Sequence, residues 1–246
     1  MNKKKIEKFL EKNLKKYKYI YITSDLRGFF FYKIYQSSDE FFDFFMNFFQ
    51  KKGITVILPS YSYTNTGKFY VDKTMSNLGS FTKWILKKKN ISRSNHPIFS
   101  TVSIGPDKNI TRNIGKSAFG HASIFYRLNK KKSCLLHLGR PFEMGNTIIH
   151  FIEQLVNVDY RFHKIFETKV YKNKKYISSG YSAFVRKKKI GPTNTIKIAN
   201  IFRKKKIIKE IGNYKKLTNI SIVDFKKCVK TMVQEYTNNN EIFLNK

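Results

Sequence analysis

The sequence predicts an α/β layered fold, on three observations. Stretches with helical apolar spacing alternate with short β-branched runs along the chain, and no internal repeat or Pro/Gly/Ser-rich linker interrupts them. At 246 residues, 41% of them hydrophobic, the chain is long enough to bury a core without disulfide or metal staples. The alternation favours layers over a helical bundle or a β-sandwich.

Taken in order, residues 3–17 carry a basic helical pattern and 19–23 a strand pattern. Ser37 and Glu40 have capping-box spacing ahead of Phe41, Phe44, Phe45, Phe48 and Phe49, and Gly53 closes that helix. Residues 54–58 predict a buried strand from their β-branched content, stopped by Pro59. A helix is expected at 81–89, a short strand at 101–104, a helix at 123–129 and a strand at 133–138 that ends at Gly139. Phe142 and Gly145 then lead into a helix at about 146–157. Segments 164–172 and 175–185 predict a hairpin around Asn173, and the basic last part ends in a helix near 223–236.

Cys134 and Cys228 stand far apart with no CxxC or Cys/His spacing around them, so neither a zinc site nor a disulfide framework is expected. Both read as free thiols in a reducing compartment. The basic residues 1–5 precede an apolar stretch broken by Glu7, Lys8, Glu11 and Lys12, unlike a signal peptide. No window reaches the roughly 18 unbroken apolar residues of a membrane span. The expectation is a cytoplasmic protein with no membrane span and no metal.

The formal charge of +33, from 49 Lys and Arg against 16 Asp and Glu, invites an anionic partner. Triple lysines at 3–5, 87–89, 130–132, 187–189 and 204–206 are nevertheless scattered, mostly where elements end. Lys, Asn, Ile, Phe and Tyr all have A/T-rich codons, so nucleotide composition accounts for much of the excess. No RNA-binding signature occurs, and the Phe-rich segments have core spacing, which speaks against specific nucleic-acid binding.

Chemistry-bearing residues gather in a few segments. On a helical wheel of residues 146–157, Ile148, Ile152, Leu155 and Val156 form the core-facing side. Asn146, Thr147, His150, Glu153, Gln154 and Asn157 gather on the opposite side, with His150 and Glu153 neighbours at i, i+3. A carboxylate beside an imidazole orients the ring and favours its protonated form, which is how a general base is positioned, although a solvated helix face shows the same pattern. In a second segment, Arg93, Ser94, His96 and Ser100 surround Pro97, which biases His96 toward an extended loop entering a sheet. Arg93 and the serines suit a phosphate or an amide, and the same residue types suit a turn. Ser24, Asp25, Leu26, Arg27 and Gly28 after the first strand carry the same ambiguity.

Together these segments resemble a known family. Ser24-Asp25-Leu26, Pro59-Ser60-Tyr61-Ser62, the Arg93–Ser100 run RSxHPxxS, Gly105-Pro106-Asp107, Phe119-Gly120-His121-Ala122-Ser123, Leu135-Leu136-His137-Leu138-Gly139 and the Asn146–Glu153 run NTxxHxxE occur in the order and spacing of the aminoglycoside 3-N-acetyltransferases. Tyr160-Arg161 resembles the end of that family's Pro-Tyr-Arg. The likeness covers residues 20–165 well and 165–246 loosely, within a single expected domain of 1–246.

The resemblance implies a three-layer α/β/α fold with a central mixed sheet, acetyl-coenzyme A as acyl donor, and direct transfer to an amine of an amino sugar or aminoglycoside-like acceptor. It is compatible with a homodimer and with antibiotic resistance as the biological role. It makes His150 the catalytic base with Glu153 or another acid orienting it, and places Ser24, Leu26, Arg93, Ser94, His96 and Ser100 where the family holds coenzyme A. Asn146, Thr147 or a backbone amide would serve the oxyanion.

The sequence departs from the family at several points. Thr23 stands in place of a frequent His, Ile124 and Asp159 in place of prolines, and residues 181–186 lack the acids the family carries on a later strand, leaving Glu143, Glu153 or Glu167 to support the histidine. Few carboxylates remain to hold a polycation, and the chain is itself strongly basic, so a neutral or anionic amino sugar is expected over a polycationic antibiotic. A coenzyme A-binding protein without efficient catalysis and a basic nucleic-acid-binding protein are the alternative readings.

Overall fold

The computed structural model describes residues 1–244. Helix α1 (Lys3–Leu14) starts under Asn2, whose side-chain oxygen accepts from the Lys5 N–H, and buries Ile6, Leu10 and Leu14 as one i, i+4, i+8 stripe. Strand β1 (Tyr19–Ser24) is followed by a five-residue helix α2 (Arg27–Phe31), where the residue types after the strand predict a loop. Helix α3 (Ser38–Lys51) begins at the expected cap, where Ser37 Oγ accepts the Glu40 N–H at 3.1 Å. Glu40 reaches back to the Gln36 N–H at 2.6 Å, one residue earlier than a capping box requires. Phe42, stacked on Phe81 at 4.7 Å between ring centroids, joins Phe41, Phe45, Phe48 and Phe49 in the buried face in place of Phe44.

Strands β2 (Thr55–Pro59) and β3 (Lys68–Tyr70), helix α4 (Ser80–Leu86), strands β4 (Ser92–Arg93) and β5 (Thr101–Ile104), helix α5 (Ile124–Asn129), strand β6 (Ser133–Leu138) and helix α6 (Thr147–Leu155) follow. Then come β7 (Arg161–Phe166), β8 (Lys169–Lys172), β9 (Lys175–Ser178), β10 (Tyr181–Arg186), α7 (Thr195–Lys204), β11 (Ile208–Ile211), β12 (Ile220–Asp224) and α8 (Phe225–Asn238).

Seven strands form one mixed sheet in the order β11-β12-β6-β1-β2-β5-β4, with β6, β1 and β2 parallel at its centre. Because side chains alternate along a strand, the sheet feeds two cores. Tyr19, Tyr21, Ile57, Leu135 and Val223 face a layer built from α5 to α8. Ile20, Ile22, Val56, Leu58, Leu136 and Ile222 face α1, α3 and α4. The result is a three-layer α/β/α fold, as expected.

The hairpin around Asn173 forms as β8 and β9, with Asn173 and Lys174 both at positive φ. It is shorter than expected. Thr168 is buried and donates to Thr64 O at 2.9 Å, swinging the chain off β7 so that β8 pairs with β3, while β7 pairs with β10 as a separate ribbon. Cys134 and Cys228 are buried free thiols. Among the described residues no helix is long and apolar enough to cross a membrane.

Candidate active site

The three parallel strands end at Ser24, Pro59 and Leu138, so the loops that follow them collect along one edge of the sheet. Gly139 makes this possible. It sits at φ +66°, and a Cβ there would lie 2.0 Å from Asp25 O, so only glycine lets the end of β6 abut the loop after β1. Asp25 N–H donates to Leu138 O at 2.8 Å across that junction. The chain then turns through 140–146, where Arg140 Nη2 donates to Met144 O (2.5 Å) and Gly145 O (3.0 Å) and Asn146 Nδ2 donates to Phe142 O (2.7 Å).

A cavity of about 510 Å³ opens between this turn, the end of β2 with Tyr61 and Tyr63, the first turns of α6, and the segment from Arg186 to Thr195. Asn146, Thr147 and His150 all line it. His150 is one-third exposed there, with Nδ1 2.9 Å from Glu153 Oε2. The i, i+3 neighbours read from the wheel are therefore in contact.

The wheel misplaced one of them. Glu153 is fully buried, because β7 and the segment around Thr193 pack over the polar side of α6, which the helical wheel alone predicts to be open. Its carboxylate also accepts from Tyr160 Oη at 2.9 Å and Thr193 Oγ1 at 3.3 Å, and pairs with Arg161 Nη2 at 2.8 Å. Burial pushes this carboxyl up, but the His150 hydrogen bond and charge, the Arg161 charge and the Tyr160 hydroxyl outweigh it and hold it below the usual carboxylate range.

Arg161 Nη2 also lies 2.9 Å from His150 Nδ1, so two groups compete for one ring nitrogen. A guanidinium only donates, and the carboxylate oxygen is the strongest acceptor in the triangle. The consistent arrangement has both Nδ1–H and Nη2–H donating to Glu153 Oε2, which leaves the Nε2 lone pair free. Of the three acids offered to support the ring, Glu153 is the one in contact with it among the described residues, while Glu143 pairs with Arg203 at 2.5 Å and Glu167 is exposed.

The profile of the aminoglycoside 3-N-acetyltransferases matches residues 52–237. The chain belongs to this family. It is accordingly an N-acetyltransferase. No curated protein matches it by sequence. Among solved structures, the YokD protein from Bacillus subtilis superposes with a TM-score of 0.76 at 17% identity, over 97% of this chain and 100% of that one. AAC-IIIb in a binary complex with CoASH gives 0.76 at 14% identity, over 100% and 98% of the two chains. AAC-VIa bound to sisomicin gives 0.77 at 14%, over 97% and 98%. At such identities the likeness carries the fold, a seven-stranded mixed sheet between helices.

Within this N-acetyltransferase, the residues expected to hold coenzyme A are not equivalent. Ser24 and Leu26 stand at and just after the end of β1, beside Thr23, which lines the cavity. Arg93, Ser94, His96 and Ser100 are buried, in the loop that enters β5. Arg93 donates to Ser60 O (2.8 Å), Ser60 Oγ (3.2 Å), Ser100 Oγ (3.2 Å), Val71 O and Thr74 O, and burial pushes its guanidinium down to about 10. Ser94 Oγ accepts the Thr101 N–H, and Ser100 Oγ donates to Ser60 O. His96 Nδ1 accepts from the Ile98 and Phe99 N–H groups and Nε2 bonds Ser182 O, while burial lowers the ring to about 4. Arg93 and Ser100, through Ser60, pin the segment after β2 that carries Tyr61 and Tyr63 into the cavity, whereas Ser94 and His96 fix the 94–101 loop itself and tie it to Ser182 on β10.

Sequence reasoning missed Arg140, Arg186 and Thr193 as cavity residues. Nothing local marks them. Segments 140–147 and 186–195 meet only through tertiary packing.

Proposed function

We propose that residues 1–246 form one acyltransferase domain that moves an acetyl group from acetyl-coenzyme A directly to an amine of an amino sugar, with His150 as general base. The observation that carries the reading is His150 on the cavity wall with Nδ1 2.9 Å from the buried Glu153 carboxylate, an arrangement that supports Nε2 as the proton acceptor. The coenzyme A in the AAC-IIIb complex and the sisomicin in the AAC-VIa complex support the classes of donor and acceptor.

In this reaction the acceptor nitrogen attacks the thioester carbonyl, forming the C–N bond as His150 Nε2 takes the nitrogen's proton. The tetrahedral oxyanion meets donors from Thr147 Oγ1, Asn146 or a backbone N–H at the start of α6, all at the cavity. The C–S bond then breaks, and the thiolate recovers the proton from His150 as the free thiol. Glu153 keeps the ring in its working tautomer and offsets the imidazolium charge. The donor approaches along the β1 edge by Ser24 and Leu26, with Arg93, Ser94, His96 and Ser100 acting as the frame of that approach. The buried acid on α6 itself replaces the missing acids of β10, which weighs against a non-catalytic coenzyme A-binding role.

The test is thiol release from acetyl-coenzyme A over a panel of amino sugars and aminoglycosides. Turnover with at least one sugar amine is expected. Binding of acetyl-coenzyme A with no turnover across the panel would leave a binding protein, and no binding at physiological salt would remove the acyltransferase reading.

A further inference from the structure

Four cavity-lining side chains can carry charge: Arg140, Glu143, His150 and Arg186. The one acid, Glu143, has its Oε1 paired with Arg203 outside the lining, while its Oε2 is buried without a hydrogen-bond partner. Neither Arg140 nor Arg186 makes an ion pair among the described residues. Arg186 Nη2 donates to Thr193 Oγ1 at 2.6 Å and its Nε is buried with no partner, while Arg140 bonds only the Met144 and Gly145 carbonyls. Asp25 acts on Arg140 and Glu153 on Arg186 only through space, without an ion pair, so both partly buried guanidinium groups face the cavity with N–H groups that no carboxylate occupies. An oxyanion supplies what is missing, since a guanidinium grips phosphate or carboxylate through parallel N–H bonds.

The position of Arg186 says which substrate brings that anion. It is linked to the reacting centre through Thr193 Oγ1, which reaches Glu153 Oε1 at 3.3 Å, the carboxylate that holds His150. With the thioester at His150, the phosphates of coenzyme A are the whole pantetheine arm away from this point. The acceptor has to lie beside His150.

Resting on the proposed acetyl transfer, we infer that the acceptor is an amino sugar bearing an oxyanion, a phosphate in the first instance, held between Arg140 and Arg186 with its amine at His150. A polycationic aminoglycoside meets repulsion from the same two side chains.

Calorimetric titration tests this as binding, independently of turnover. Glucosamine 6-phosphate and glucosamine are titrated separately into the full chain saturated with coenzyme A at fixed ionic strength. The phosphate ester is expected to bind at least about tenfold more tightly, a difference of about 1.4 kcal/mol. Arg186→Gln and Arg140→Gln should each cut that ratio several-fold, and Arg186→Lys should retain part of it. The ratio is taken within one variant, so partial misfolding does not imitate the effect. Equal affinities for the two sugars, or a ratio unchanged in both Gln variants, would overturn the inference. So would Gln variants that weaken coenzyme A instead, which would give the arginines to the donor's phosphates. A preserved phosphate preference with no turnover on any amine would remove the proposed reaction and leave this anion site standing.

Discussion

Replacing Glu153 by Gln keeps the shape of the side chain and removes its charge, a mild change if Glu153 lay on a solvated helix face. In its buried position the change is severe. Arg161, itself buried, loses its counter-ion at 2.8 Å and keeps only Phe184 O as a firm acceptor. Breaking one side of a buried pair costs about 3–5 kcal/mol. For a chain of this size each kcal/mol lowers the melting temperature by about 2–4 °C, so a fall of roughly 6–20 °C is expected. The folded carboxyl titrates below its usual range, so its stabilisation is complete above the ordinary carboxylate pKa and is lost as pH falls through the depressed value. The gap between wild type and Glu153→Gln should therefore narrow in acid. Turnover falls too, through loss of ring orientation. The double variant Glu153→Gln/Arg161→Met separates the two effects, since an apolar replacement of an ion pair is often neutral or better. Denaturant unfolding should show most of the stability restored, while thiol release stays low. A single Gln variant as stable as wild type, or a double variant with recovered turnover, would refute the reasoning.

Further outcomes follow from the frame of the site. His96 titrates at about 4 in the fold against about 6.5 when unfolded, so the unfolded chain takes a proton the native state refuses. Stability is full above pH 6.5 and should fall by about 3 kcal/mol toward pH 4, and His96→Asn should flatten that dependence in urea titrations. Arg93→Ala strands the Ser60, Val71 and Thr74 carbonyls and should cost at least about 2 kcal/mol of stability, with any change in coenzyme A affinity following from the loosened segment. An unchanged unfolding midpoint with weakened binding would return Arg93 to direct contact. Gly139→Ala must move Asp25 O or the 139 backbone, so it should lower both melting temperature and turnover, more than Gly191→Ala, where a Cβ meets nothing within 4 Å.

What was legible in the sequence was what short-range pattern determines. Strands β5 and β6 were read at their true limits because compact apolar runs are bounded there by a loop before and a glycine after. The i, i+3 spacing of His150 and Glu153 placed the pair, since helix geometry fixes it. The burial of Glu153 was not legible, because it depends on how β7, just past the end of α6, folds back over the helix and on Thr193, forty residues away. Nor was the burial of Arg93, Ser94, His96 and Ser100: a polar run before a strand reads as a loop until its partners are known, Ser60 after β2 for Arg93 and Ser100 and Ser182 on β10 for His96. Helix α7 and edge strand β11 flank the Lys204–Lys206 run and are exposed on one side, so their short apolar periods were hidden beside the charge.

The central claim is that His150 takes the proton from the acceptor amine. The most direct measurement is single-turnover acetyl transfer by His150→Ala, on the best acceptor of the panel, with acetyl-coenzyme A affinity and melting temperature followed alongside. Its ring is one-third exposed and outside the edge where the donor is placed, so fold and donor affinity should stay near wild type while the rate falls by roughly 10² to 10⁴. A near-normal rate in that variant would contradict the account.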